Sequence, residues 1–321
     1  NTSLTYSSVA IREDLSDVIY NIAPMDTPFM SGCAKTTADN TFYEWQTDSI
    51  TAGAANRKIE GDDSIAADAR VLPTRLGNYC QISQYVNQTS GTDQVMNYAG
   101  HGKHQAYQLA KNGKRMKRDM ESMLTQNIVR AAGDSTEARA TAGIPAWLNT
   151  SHVAGGSGGS ADAGSLGTTA MVNNTSTAAA SETNIKATIK ECYDAGGSPD
   201  MMLVPSNVKQ TISALSQTVS ELRTSANKEA PASVVAAVDV YVSDFGTFKI
   251  VPDRNLAKDG PGSVAANVFF LDMDFWAIAW LRPFQTVDLA KTGDAVKQML
   301  VAEYGLVSKN EASSGILASV S

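Results

Sequence analysis

Residues 103–132 read KHQAYQLAKNGKRMKRDMESMLTQNIVRAA, and the reading of the chain turns on this run. Ala106, Leu109, Gly113, Met116, Met120, Met123, Leu124, Asn127 and Ala131 recur at intervals near 3.5 residues, the repeat of one helix face. A helix from Lys103 to Ala132 would be ~45 Å long at 1.5 Å per residue. Gly133-Asp134 follows, with glycine where a left-handed cap belongs. The other face carries Lys103, Lys111, Lys114, Arg115, Lys117 and Arg118, partly neutralised by Asp119 and Glu121. A single helix of that length is a spine for other elements to pack on.

Upstream of it, Thr41-Phe42-Tyr43-Glu44-Trp45-Gln46-Thr47 alternates as a half-buried strand does. A polar, small-residue stretch from Thr51 to Asp63 follows, and Leu76, Cys80, Ile82 and Val86 on even positions predict one return strand. The two strands make a long extended hairpin whose tip is too polar for a core of its own. Such a limb is a lid or an extension laid over a neighbouring subunit. Further upstream, Ile11, Leu15, Val18, Ile19 and Ile22 form the apolar stripe of a short helix that Pro24 and Pro28 stop. That stripe needs cover from the rest of the chain or from a neighbour.

Downstream, residues 133–180 predict a loop excursion, with low-complexity runs at Gly155–Ser160 and Thr175–Ala180; only Ile144-Pro145-Ala146-Trp147-Leu148 looks anchored. A compact α/β piece begins at Ser181. Ile185, Ile189, Cys192 and Tyr193 mark one helix, Val208, Ile212 and Leu215 a second. Met201–Val204, Val240–Val242, Phe248–Val251, Val268–Leu271, Phe275–Leu281 and Val296–Val307 read as strands, with Gly246 in a hairpin turn. No repeat appears at a period of about 20–50 residues, so a solenoid is not expected.

Composition narrows the function classes. Of 321 residues, 43% are hydrophobic, enough for a core, and 18% are charged, below the usual ~25% of a soluble domain. A surface so poor in charge suggests burial against other subunits. Net charge is 26 − 33 = −7, which leaves only a local basic stripe as a candidate for nucleic-acid contact. No apolar run reaches the ~20 residues of a membrane-spanning helix, and residues 1–5 show no secretory leader pattern. Three scattered cysteines, Cys33, Cys80 and Cys192, fit reduced, packed thiols.

Chemical motifs are sparse. His101-x-x-His104 lacks a third ligand at motif spacing, so no metal site is expected. Asp244-Phe245-Gly246 matches a kinase triplet but stands alone, and a hairpin turn explains it. Gly156–Ala161 fits a loose dinucleotide pattern without its strand and helix. With no nucleophile elbow, phosphate loop or zinc-helix motif, no catalytic residue and no cofactor is expected. What remains is an arm, a limb, a spine and an α/β module, which are parts for assembly.

That order of parts resembles the tailed-bacteriophage major capsid proteins of the Hong Kong 97-type fold, an α+β class, and more closely the SU-ten-like subfamily of major head proteins. The resemblance rests on Glu13–Ile19 with Pro24-Met25-Asp26-Thr27-Pro28-Phe29, on Phe42–Asp48, Asn78–Ile82, Ser90-Gly91-Thr92 and Lys117–Glu121, and on Leu281-Arg282-Pro283-Phe284 and Glu303-Tyr304-Gly305-Leu306. It implies an N-terminal arm over 1–36, an extended loop over 37–90 and a peripheral domain over 91–180 with its spine helix at 103–132. An axial α/β domain would span 181–285, and 286–321 would return to the peripheral domain. Subunits would gather as pentamers and hexamers into an icosahedral shell around double-stranded DNA, in a virion assembled in the host cytoplasm, with decoration, scaffolding and portal proteins as partners and no membrane. Expected subunit contacts are Tyr43 and Trp45 at the base of the limb, Arg57, Lys58 and Glu60 near its tip, and Ile11, Leu15 and Ile19 in the arm. Lys111, Lys114, Arg115, Lys117 and Arg118 are candidates for non-specific contact with packaged DNA or for intersubunit charge pairs.

Three rivals are distinguishable. An encapsulin-like compartment would share the fold but hold protein cargo. A hydrolase would show turnover lost on a single polar substitution. A decoration or tail-tube protein would lack the spine.

Overall fold

The computed structural model describes residues 26–50, 53, 55, 57, 59–61, 72–98, 100, 102–155, 162–174, 176–218, 239–256, 266–291 and 293–320. Ile11, Leu15, Ile19, Lys58 and His101 lie outside these residues.

Two sheets share one core. The first is four-stranded, in the order β1 (Ala34–Thr37), β10 (Trp276–Asp288), β11 (Ala295–Ser308), β4 (Gln81–Ser90). β1 runs parallel to β10; the other pairs are antiparallel. The β10–β11 register slips on either side of Arg282, beside Pro283, where a ladder donor is missing. The second sheet is six-stranded, in the order β5 (Ser151–Ala154), β12 (Gly315–Val320), β9 (Ala266–Leu271), β6 (Met201–Val204), β8 (Gly246–Pro252), β7 (Val240–Ser243).

β9 and β12 are buried at every position and are apolar apart from Asn267 and Ser319, as suits strands covered on both faces. One face of the sheet, with Met202, Val204, Ile250, Phe270 and Leu317, packs on helices α5 (Glu182–Asp194) and α6 (Ser206–Thr218) through Ile185, Ile189, Val208 and Ile212. The other face gives Leu203, Phe269, Leu271, Ile316 and Ala318 to the core shared with the first sheet. The segment 286–321 is therefore divided. β11 stays in the four-stranded sheet, whereas β12 enters the six-stranded one between β5 and β9, because its mostly apolar sequence needs burial on both sides. β10 likewise belongs to the four-stranded sheet although it begins within 181–285.

The spine is shorter than its periodicity suggests. α3 spans His104–Thr125, not 103–132, and is ~33 Å long. Thr125 turns its hydroxyl back to the carbonyl of Glu121 at 3.0 Å, and Gln126 leaves helical geometry at φ −80°, ψ 150°. Asn127 then clamps Met171, donating Nδ2–H to its carbonyl (2.7 Å) and accepting its N–H (3.0 Å), while Gly143 N–H bonds the Ile128 carbonyl. These tertiary bonds outcompete the next two helical turns. Gly133 does adopt a left-handed φ of +68°, but in a separate turn closed by Asp134.

The C-terminal half of α3 buries Met116, Met120 and Leu124 against Leu300, Ala302, Tyr304 and Leu306. Its N-terminal half rests on amides instead: Gln105 bonds Thr89 and Gln298, and Asn112 bonds Asn87. Between residues 133 and 180 more is anchored than the predicted excursion allows. α4 (Ile144–Trp147) is wholly buried, β5 pairs with β12, and Met171 and Ala180 are buried.

Candidate assembly surfaces

The limb is built from β2 (Phe42–Thr47) and β3 (Thr74–Tyr79), paired antiparallel from Phe42↔Tyr79 to Thr47↔Thr74. The predicted single return strand breaks at Cys80. β3 belongs to the limb, while β4 crosses to the four-stranded sheet, with Cys80 N–H held by the Thr41 carbonyl at 2.8 Å. In consequence Leu76 and Cys80 are buried, and Ile82 and Val86 are exposed.

The root of the limb is fixed to its own subunit. Tyr43 donates its hydroxyl to the Leu306 carbonyl, and Trp45 its Nε1–H to the Ser308 carbonyl, both at 2.8 Å. Their rings stack at 5.8 Å, and Trp45 meets the buried Trp147 at 5.4 Å. Gly305 leaves room for the Tyr43 ring: a Cβ there would lie 2.3 Å from the phenol oxygen. Burial raises the Tyr43 phenol well above its ordinary pKa, so it stays a donor. Beneath, buried Asn78 donates to the Leu306 carbonyl (2.8 Å) and Thr141 Oγ1 (3.0 Å) and accepts Ala142 N–H at 3.1 Å. Arg130 caps the edge, its guanidinium over Phe42 and bonded to the Gly77 carbonyl. Tyr43 and Trp45, expected as contacts to a neighbour, thus have their polar atoms satisfied within the subunit. Asn78, Arg130 and Gly305 complete this root, and no local pattern marks them.

Beyond the root the limb is open. Arg57 and Glu60 are exposed, and so are three apolar side chains: Ile50 at 99%, Ile59 at 82% and Leu72 at 70%. A second open patch lies on the four-stranded sheet. Val86, Met299 and Val287 align across three strands, on the face opposite Tyr85 and α3. A third lies at the end of the six-stranded sheet, where Val240 and Val242 project from edge strand β7 and the rings of Tyr193 and Phe245 meet at 4.7 Å. Asp244-Phe245-Gly246 is the hairpin turn here, closed by Ser243 Oγ.

The basic face of α3 points away from the sheet. Lys111, Lys114, Arg115 and Lys117 are exposed and Arg118 is half-exposed. Arg115 and Arg118 flank Asp119, at 3.9 and 3.6 Å, and Arg115 also covers the Tyr85 ring. Lys111, Lys114 and Lys117 form no ion pair among the described residues. Glu121 does not neutralise this face: it is wholly buried on the opposite side.

Among the described residues no group of three His, Cys, Asp or Glu side chains could hold a metal ion, and His104 bonds Gln108. Cys33, Cys80 and Cys192 are free and buried, and burial pushes the thiols of Cys80 and Cys192 up to about 11. No helix among the described residues is long and apolar enough to cross a membrane. The described surface offers apolar side chains held out on a rooted limb, left uncovered by the other described residues.

The model of the SU10 major capsid protein family matches residues 1–321. The chain belongs to that family. It is 27% identical to the major capsid protein of Escherichia phage Phieco32 over 98% of this chain and 96% of that one. In structure it is similar to the capsid of cyanophage A-1(L), with a TM-score of 0.69 at 11% identity and 99% coverage of both chains. It is also similar to a chain of the phage G assembly of gp27 major capsid proteins and gp26 decoration proteins, with a TM-score of 0.55 at 10% identity over the full length of both. The Hong Kong 97-type fold and the α+β class follow, and the SU10-family chain is a structural protein that forms the capsid shell of a tailed phage. The encapsulin-like alternative is not favoured, since both the family and the curated relative are phage capsid proteins.

Proposed function

We propose that subunits of this SU10-family chain close into a shell of pentamers and hexamers chiefly through the limb, whose exposed Ile50, Ile59 and Leu72 are covered by neighbouring copies. The observation that carries this reading is the contrast between root and tip. A root in which Tyr43, Trp45 and Asn78 donate four side-chain hydrogen bonds orients the limb, and a tip left uncovered by the other described residues gains stability on contact. At ~25 cal/mol per Å² of apolar area, several modest contacts per subunit add up over a shell. Arg57, Lys58 and Glu60 supply polar contacts near the tip, and Ile11, Leu15 and Ile19 carry the arm onto a neighbour. The unit built on α5, α6 and the six-stranded sheet, centred on 181–285, is the axial domain. The spine with the four-stranded sheet is the peripheral one.

Double-stranded DNA fills the shell, touched without sequence preference by Lys111, Lys114 and Lys117. Portal and scaffolding proteins, and decoration proteins of the kind that accompany gp27 of phage G, complete the particle, which assembles in the host cytoplasm. No catalytic step is part of this role.

Deleting residues 51–70 tests the limb. The expected product is a folded, soluble subunit that forms no closed shells by electron microscopy; particles of normal size and yield from the deletion would overturn the reading.

A further inference from the structure

The arm enters the subunit through α1 (Pro28–Gly32), and the residue before it, Thr27, gives that helix no side-chain cap. The cap comes from far away in sequence. Glu121 on α3 accepts Phe29 N–H at 2.7 Å and Met30 N–H at 2.8 Å, one on each carboxylate oxygen. It is wholly buried, and among the described residues no cation pairs with it. The titratable groups facing it make its position costlier. Cys33, just past α1, is a buried thiol that stays neutral and offers no charge, while Asp253, just past β8, is a second buried carboxyl whose Oδ2 has no hydrogen-bond partner among the described residues and whose charge opposes that of Glu121. Asp26 faces Asp253 in turn, and Asn255 ties the two segments by donating to the Asp26 carbonyl at 2.7 Å. The root of the arm therefore sits on two buried acids with no compensating charge among the described residues.

We infer that Glu121 is a proton-coupled latch: with residues 28–33 docked on the spine it carries a proton, and it releases that proton when they lift away. The direction follows from linkage. Burial first, then the charge of Asp253, raises the Glu121 carboxyl to about 7 in the docked state, against the lowering pull of the two N–H groups. In the lifted state it is a solvated glutamate with a pKa of about 4.3. Below about 4.3 both states are protonated and docking is strongest. Between there and about 7, docking weakens by a factor of ~10 per pH unit, and above 7 it stays at its weakest. The fully buried Phe29, edge-on to Trp276 at 6.0 Å, anchors the docked segment by packing that does not depend on pH. Residues 28–33 thus loosen as pH rises into the neutral range.

Hydrogen exchange at the Phe29 and Met30 amides of the full chain, corrected for the intrinsic pH dependence of exchange, reads the latch directly. From pH 5 to 8 the opening equilibrium is expected to rise on the order of a hundredfold and to level off near neutrality. The near-isosteric Glu121→Gln chain should show no rise in that range, and Asp253→Asn should keep the rise with its midpoint at lower pH. Protection independent of pH in the unsubstituted chain, or an undiminished rise in Glu121→Gln, would overturn the inference.

Discussion

Tyr43 and Gly305 show how one missing side chain sets the direction of a limb. The phenol reaches the Leu306 carbonyl only because residue 305 has no Cβ. Gly305→Ala should therefore cost about 1–3 kcal/mol by overpacking. Thermal unfolding should show a Tm lower by several degrees, with part of the loss recovered by adding Tyr43→Phe, which removes the atom nearest the new methyl group. An unchanged Tm for Gly305→Ala would mean that the ring yields at no cost. Glycine at 305 and tyrosine at 43 are both visible in the sequence, but nothing local joins residues 262 positions apart. The same holds for Glu121. From its place beside Arg118 and Asp119 it reads as part of a charged face, and only the turn of the helix carries it to the buried side. Asn78 lies in a limb strand whose amphipathic pattern says nothing of the carbonyl it meets at Leu306.

Elements were legible where the pattern of burial is local. Met201–Val204, the hairpin around Gly246 and the helices marked by Ile185 and Val208 stand where their spacing places them. The end of the spine was not, since residues 126–132 continue the periodicity and yield only to the clamp between Asn127 and Met171. The break at Cys80 was hidden for a similar reason: the alternation of Leu76, Cys80, Ile82 and Val86 continues through it, but the sheet on which it is displayed changes. The exposed stripe of α3 carries its own prediction. Charge reversal at Lys111, Lys114 and Lys117 together should leave α3 folded, because all three point to solvent, and should lower the number of phosphate contacts by up to three. Binding of purified subunits or shells to duplex DNA should then fall, with a shallower dependence on salt by roughly three units of log–log slope. Binding that keeps its original slope would place the DNA contact elsewhere.

At the scale of the whole molecule, the order of arm, limb, spine and α/β module was readable, and the way the two sheets interlock was not. Residues 315–320 follow a strand of the four-stranded sheet and look like its continuation, yet they lie inside the other sheet, between β5 and β9. Burying Ile316, Leu317 and Val320 contributes roughly 5–9 kcal/mol at 1.5–3 per side chain, as much as many proteins have in total. A chain stopped after residue 314 should accordingly fail to give a cooperative unfolding transition and should collect in the insoluble fraction. A soluble, cooperatively melting product of that length would show the sheet to be complete without β12.

The place of that strand also bears on manufacture. β5 is synthesised some 164 residues before its parallel partner β12, so the ribosome releases an outer strand, a pair of helices and four further strands that must wait for their keystone. Prematurely terminated products lack it and expose a slot lined with Phe269, Phe270 and Val268, a mark that quality control can recognise. A shell built of many copies would in this way draw on polypeptide that includes β12, with the inspection written into the order of translation.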